Sequence, residues 1–224
     1  MLLKWASMLQ ILSAWDETTG NVITPAIDAA VETARAGGII AFPTDTLFGV
    51  AVDARNLLAV QNVFKVKHRP LDKPLPLLLA DATGVGTVSP EASISAGSRR
   101  LMAHHWPGAL TILLPADPGL VEGTHGGGKV ALRVPNHPVA LALLAAFGGP
   151  LATTSANLSG EEGARNPEEV AASIGEGIDV LLVGGPLLRE VASTIIDMTV
   201  EPPEQIRAGA ILWDDLLATL QNKP

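Results

Sequence analysis

Four of the chain's fifteen Lys and Arg residues, Lys65, Lys67, Arg69 and Lys73, fall within nine consecutive positions of a protein whose formal net charge is -8. A nucleic-acid binder spreads its cations over a face and carries a basic isoelectric point. Here the isoelectric point is about 5.0, so one tight cluster suits a small polyanion such as a nucleotide triphosphate. Pro70 and Pro74 fix the backbone where the cations sit. The competing reading is a solvated helix end, in which Lys65 and Lys67 only complement the helix dipole. Two polar loops point the same way as the cluster. Pro43-Thr44-Asp45-Thr46 follows one apolar strand pattern and Ser155-Ala156-Asn157-Leu158-Ser159-Gly160 another, so hydroxyls and an amide stand where strands end, the binding edge of open α/β sheets. Each alone also reads as a turn, because Ser, Asn and Asp bond to their own backbone.

Other candidate chemistry is excluded residue by residue. Gly123 to Lys129 matches the G-x-x-x-x-G-K phosphate loop, but Val130 stands where Ser or Thr would hold magnesium. The β-patterned, proline-ended run that follows opens no helix, so this reads as a flexible glycine loop able to serve as a lid. The five histidines lack metal spacing, and Ser155 and Ser159 lack a G-x-S-x-G elbow. The absence of cysteine excludes disulfides, thiolate zinc sites and thiol nucleophiles.

These residues need a scaffold, and the composition supplies one: 224 residues, 47% hydrophobic and 17% charged, are ample for a globular core. The apolar run at 139–147 is far shorter than the roughly 20 residues that span a bilayer. The N-terminal apolar segment has no Ala-x-Ala site and reads as a packed extension, and the expected location is cytoplasmic. Helix and strand signals alternate. Thr24-Pro25 opens a helix that Gly37-Gly38 ends before a strand at 39–42, and a helix at 57–67 delivers the basic cluster at its end. A strand at 75–79 precedes a helix capped at Ser89-Pro90-Glu91 and running to His105. Strands at 110–114, 130–134, ending near Thr153, and 179–183 are interleaved with helices opening at His137-Pro138 and Asn166-Pro167. The expected architecture is α/β with a mixed, twisted sheet. Arg133, between apolar Leu132 and Val134, should point opposite to them, into a cavity or to solvent.

Seven blocks in order resemble the signature segments of the YrdC/Sua5 family, the threonylcarbamoyl-AMP synthases. They are Pro43 to Gly49, Lys67-His68-Arg69-Pro70 with Lys73-Pro74-Leu75, Trp106 to Thr111, Val130 to Pro135, Ser155 to Gly160, Ser193 to Asp197, and Ile206 to Ile211. The resemblance covers residues 23–213 as a catalytic domain, leaving 1–22 as an N-terminal extension and 214–224 as a tail. It implies helices on the faces of the sheet, a large concave cavity, and condensation of L-threonine, bicarbonate or CO2, and ATP to threonylcarbamoyl-AMP and pyrophosphate. Mg2+ would accompany ATP without an evident protein site. The product would pass to a tRNA threonylcarbamoyl-transfer complex.

Carried over by position, the resemblance places Arg69, Lys73, Lys129, Thr153, Ser155, Asn157 and Arg207 at ATP, with Lys67 and Arg69 stabilising charge during reaction. It places Thr46, Arg133 and Ser193 at threonine. The residue types agree, since Arg133 offers a planar fork to a carboxylate and the other cations can neutralise phosphates. Phe48 stands where the family often has Tyr, Leu78 where it often has His, and Thr153-Thr154 where Ala-Pro is common. Three other readings stay open on sequence grounds: an RNA-binding module, disfavoured by acidic balance and the absence of Tyr; a carbamoyl-transfer domain of the hydrogenase-maturation type, whose cysteine motifs are missing; and a non-catalytic regulator with a binding cavity.

Overall fold

The computed structural model describes residues 9–186 and 191–221. The N-terminal apolar segment therefore lies outside the described residues up to Met8. In chain order the elements are β1 (Gln10–Ser13), β2 (Trp15–Asp16), β3 (Asn21–Val22), α1 (Thr24–Arg35), β4 (Ile40–Phe42), β5 (Gly49–Asp53), α2 (Leu57–Val66), β6 (Leu77–Leu78) and α3 (Ala96–His105). There follow β7 (Leu110–Pro115), β8 (Lys129–Arg133), α4 (Pro138–Phe147), β9 (Leu151–Ser155), α5 (Pro167–Ile174), β10 (Val180–Val183), β11 (Thr194–Asp197), β12 (Glu204–Arg207) and α6 (Trp213–Gln221). Ten strands form one mixed sheet in the order β1-β10-β4-β5-β9-β6-β8-β7-β11-β12, and β2 pairs with β3 separately.

Local signals explain most helix ends. Asn56 caps α2 by accepting from the Ala59 N–H at 3.1 Å, and Asn166 caps α5 by accepting from Glu169 at 2.8 Å. Gly148, at φ 73°, ends α4 in the left-handed conformation that a Cβ disfavours. Two helix starts differ from the sequence reading. Ile23, not Thr24, is the N-cap of α1 and makes no side-chain cap bond. Ser89-Pro90-Glu91 leads only into a 3-10 turn at Glu91–Ser93; Ile94 is extended and buried, and the helix restarts where Ser95 accepts from the Ser98 N–H at 3.0 Å.

The central strands are apolar on both faces because both faces are covered. Ala41, Val50, Val52, Ala152 and Leu181 pack into one core, while their neighbours Ile40, Phe42, Ala51, Leu151, Val180 and Leu182 pack into the other with α1 and α4. Burying one such Val, Leu or Phe contributes about 1.5–3 kcal/mol. Helices α1 and α4 cover only half of the second face. Toward β8, β7, β11 and β12 that face stays open, and the strands there carry polar side chains. Among the described residues no helix is long and apolar enough to cross a membrane.

Candidate active site

The uncovered half of the sheet forms the floor of a cavity of about 780 Å³. Strand alternation decides what faces it. On β8, Lys129, Ala131 and Arg133 line the cavity while Val130 and Leu132 pack into the core; on β7, Thr111 and Leu113 face it while Leu110, Ile112 and Leu114 do not. From β11, Ile195 and Asp197 face it, and Ser193 lies just before that strand. Phe48 and Leu78 add apolar walls.

At one corner Arg133 is 7% exposed and held on three sides. It donates from Nε to Gly108 O at 2.9 Å, from Nη1 to Thr46 Oγ1 at 3.0 Å, and from Nη2 to Asp45 Oδ1 at 2.5 Å. Burial pulls this guanidinium below the ordinary arginine range, and Asp45 opposes the fall. Thr46 Oγ1 also lies 3.0 Å from Thr44 Oγ1, which donates to Leu47 O at 2.7 Å, so the polar turn after β4 is braced from inside. Five N–H groups leave Arg133 two donors beyond these three bonds, enough for a carboxylate.

A second group lies along the open edge. Arg207 reaches from β12 to Ser193, whose hydroxyl is 2.8 Å from Thr111 Oγ1. Lys129 Nζ pairs with Asp197 at 2.6 Å. Bonds from Lys129 and Thr199 to the Asp197 carboxylate outweigh its burial and hold it below the usual carboxylate range.

The basic cluster divides at one turn. Lys67 caps α2, and His68 takes φ 50°, the only non-glycine positive φ among the described residues. Arg69 N–H bonds to Phe64 O at 2.9 Å and His68 N–H to Lys65 O at 3.2 Å, a Schellman ending that sends consecutive odd residues to different places. Arg69 enters the cavity wall, donating from Nε to Lys73 O at 2.6 Å, from Nη2 to Pro74 O at 3.0 Å and from Nη1 to Thr154 Oγ1 at 3.3 Å.

Thr46, Arg69, Lys129, Arg133, Thr153, Ser155, Ser193 and Arg207, eight of the residues expected at the site, line the cavity together. Lys67, Lys73 and Asn157 are not among the residues that line it. Lys67 is 1% exposed, and its Nζ donates to Ser155 O at 2.5 Å and to Asn157 O. Its ammonium is already spent on loop carbonyls, and burial, with the nearby Arg69, lowers its pKa to about 8. Asn157 is buried, with Nδ2 donating to Leu158 O and Glu161 O. Lys73 is exposed and contributes its carbonyl to Arg69. Lys67 and Asn157 brace the loop behind the cavity, and Lys73 lies between the lining residues Asp72 and Pro74.

The glycine loop is a tight turn. Gly126 and Lys129 exchange both backbone bonds at 3.0 Å, with Gly127 and Gly128 at φ 57° and 73°, the left-handed pair that a two-residue hairpin turn requires. Sequence reasoning missed Asp45 and Asp197 as site residues. Both sit inside the quoted segments, but nothing local shows that each meets a cation on β8. Among the described residues no group of three His, Asp or Glu side chains is placed to hold a metal ion.

A family model described as telomere recombination, for the Sua5, YciO and YrdC proteins, matches residues 32–209. The chain belongs to the Sua5/YciO/YrdC family. It is 36% identical over 207 residues to the threonylcarbamoyl-AMP synthase of Bacillus subtilis (strain 168), covering 92% of this chain and 59% of that protein. To the threonylcarbamoyl-AMP synthase of Stenotrophomonas maltophilia (strain K279a) it is 41% identical over 162 residues, 70% of this chain and 86% of that one. The crystal structure of P. abyssi Sua5 complexed with L-threonine superposes with a TM-score of 0.88 at 30% identity, covering 94% of this chain and 61% of the other. The chain thus spans about six-tenths of the B. subtilis and P. abyssi proteins. All the cavity residues named above lie inside the span matched by the Sua5/YciO/YrdC model. Strand β1 and helix α6 lie outside it, yet β1 pairs with β10 and α6 packs on α3, where Arg100 Nη2 donates to Leu220 O at 2.8 Å.

Proposed function

We propose that the chain is a threonylcarbamoyl-AMP synthase, a cytoplasmic nucleotidyltransferase that condenses L-threonine, bicarbonate or CO2, and ATP. The observation that carries this reading is that one cavity joins Arg133, with two donors to spare, to three further cations. Arg133, braced by Asp45 and beside the Thr46 hydroxyl, has two donors left for the threonine carboxylate. Arg69, Lys129 and Arg207 line the same cavity and suit a triphosphate, with Thr153 and Ser155 at its β9 wall. The curated relatives carry the corresponding name, and the threonine-bound neighbour shares the fold.

In this reading the threonine amine adds to the carbon of CO2 and loses a proton, forming a carbamate. A carbamate oxygen then attacks the α-phosphorus, and the bond from that phosphorus to the bridging β-phosphate oxygen breaks, releasing pyrophosphate. Magnesium enters with the nucleotide as part of the substrate. No protein nucleophile takes part. The chain positions the two reactants and offers cations to the charge that develops on phosphate oxygens. Arg69 faces the cavity and can do this directly. Lys67 acts from behind, by fixing the Ser155 and Asn157 carbonyls. The product would serve threonylcarbamoyl transfer to tRNA.

A pyrophosphate-release assay tests the reading. Release should require MgATP, bicarbonate and L-threonine together; equal release without threonine would refute it.

A further inference from the structure

Strand β8 carries two cavity-facing cations, Lys129 and Arg133, four residues apart on one face. At about 3.3 Å per residue their backbones stand about 13 Å apart. Each meets one carboxylate, and the two carboxylates come from different elements: Asp45 from the turn after β4, and Asp197 from β11. Both carboxylates are anchored independently of the cation. Asp45 Oδ1 also accepts from the Asn136 N–H at 3.0 Å, and Asp197 Oδ1 accepts from the N–H and hydroxyl of Thr199 at 2.8 and 2.6 Å.

We propose that Asp45 and Asp197 are positioning residues that hold the two cations of β8 at opposite ends of the cavity, so that Arg133 serves an amino-acid carboxylate and Lys129 a phosphate chain. The ligand classes rest on the function proposed above; the positioning does not. A long cation without its carboxylate would swing toward the most negative ligand in the cavity, and both would crowd onto the triphosphate. Tethering prevents that, and it separates two anion sites that would otherwise compete.

The bonding patterns make opposite demands on the same substitution. Asp45 receives both Arg133 and Asn136 on Oδ1. Asp45→Asn keeps that acceptor, whereas Asp45→Ala removes it. Asp197 receives Thr199 on Oδ1 but Lys129 on Oδ2. Asp197→Asn keeps the Thr199 bonds and turns an N–H donor toward the Lys129 ammonium, which donates too.

Calorimetric titration of the full chain with L-threonine, and separately with MgATP, tests this on variants whose melting curves show them folded. Asp45→Ala should weaken threonine binding about ten-fold or more, with MgATP changed less than about two-fold, and Asp45→Asn should recover to within about three-fold of wild type. Asp197→Asn should weaken MgATP about five-fold or more and leave threonine within about two-fold. If Asp45→Ala does not fold, Asp197→Asn decides the matter, since it keeps its Thr199 anchor. Unchanged affinities, or equal losses of both ligands in a folded variant, would overturn the proposal. A wild-type chain that binds neither ligand would defeat the functional reading instead. The Arg133 guanidinium N–H resonances would then decide the positioning: slowly exchanging in wild type and Asp45→Asn, averaged in Asp45→Ala, and against the proposal if all three agree.

Discussion

Arg207 donates from Nε and Nη2 to the Ser193 carbonyl at 3.0 and 2.8 Å, and from Nη2 to its hydroxyl at 2.9 Å. An arginine of the edge strand is thus locked onto a serine that leads into the next strand. In the proposed reaction the first faces ATP and the second threonine, so the two half-sites meet in this contact. Thr111 holds the Ser193 hydroxyl from its other side at 2.8 Å.

Gly209 allows that contact. A Cβ there would sit well inside contact distance of the Ser193 and Thr194 backbone. Backbone cannot yield as a flexible side-chain end can, so Gly209→Ala should displace Ser193 and Arg207 together. The expected outcome is a rise of about ten-fold or more in both threonine and ATP KM, with the melting temperature lowered by several degrees. Unaltered kinetics would show that the edge strand can shift without disturbing the site.

Arg133→Lys keeps a charge but loses the fork and the three-sided brace. Threonine KM should rise about ten-fold or more, while ATP affinity moves by less than about three-fold. Steady-state kinetics over a threonine range measures this directly, and a wild-type threonine dependence would remove Arg133 from the carboxylate.

Arg69→Ala should lower nucleotide affinity by about ten-fold or more, the scale of a lost charge-assisted bond. Because Arg69 also ties the carbonyls of Lys73 and Pro74, part of the effect will come through the loop. Titration with ATP on a folded variant checks the sum. Unchanged affinity would return the basic cluster to a helix end.

Lys67 carries a stability signature. Its folded pKa, about 8, lies below the ordinary lysine value of 10.5 because burial disfavours the ammonium. Between those values the unfolded chain binds more protons than the folded one, so this group makes stability rise with pH across that window. The rise should be about 2–3 kcal/mol relative to Lys67→Met. The chain has no Tyr and no Cys, so lysines are the side chains that titrate there. Urea unfolding of both proteins from pH 8 to 10.5 measures it; a difference that does not change with pH would mean that Lys67 keeps its proton in the fold.

Much of this molecule was readable locally. Asn166-Pro167 announces a helix start, and apolar patterning places α2, β7 and β8, because caps and patterning depend on residues a few positions apart. The alternation that aims Arg133 away from Leu132 and Val134 is local too, though only the sheet decided that its direction was the cavity rather than solvent. Strands β5, β11 and β12 were not assigned from the sequence: β12 is exposed throughout and pairs on one side only, and β11 becomes a strand by lying beside β7.

The fate of the basic cluster shows the division most clearly. Its residue types and spacing suggest a polyanion site, and Arg69 lines the cavity. Lys67 turns instead to the carbonyls of Ser155 and Asn157, residues 88 and 90 positions away. A buried ammonium must find acceptors, and a helix end leaves its direction open until a distant loop supplies them. Asp45 and Asp197 follow the same rule: a carboxylate's sequence neighbours say nothing of which cation will stand opposite, because strand order in the sheet sets that pairing.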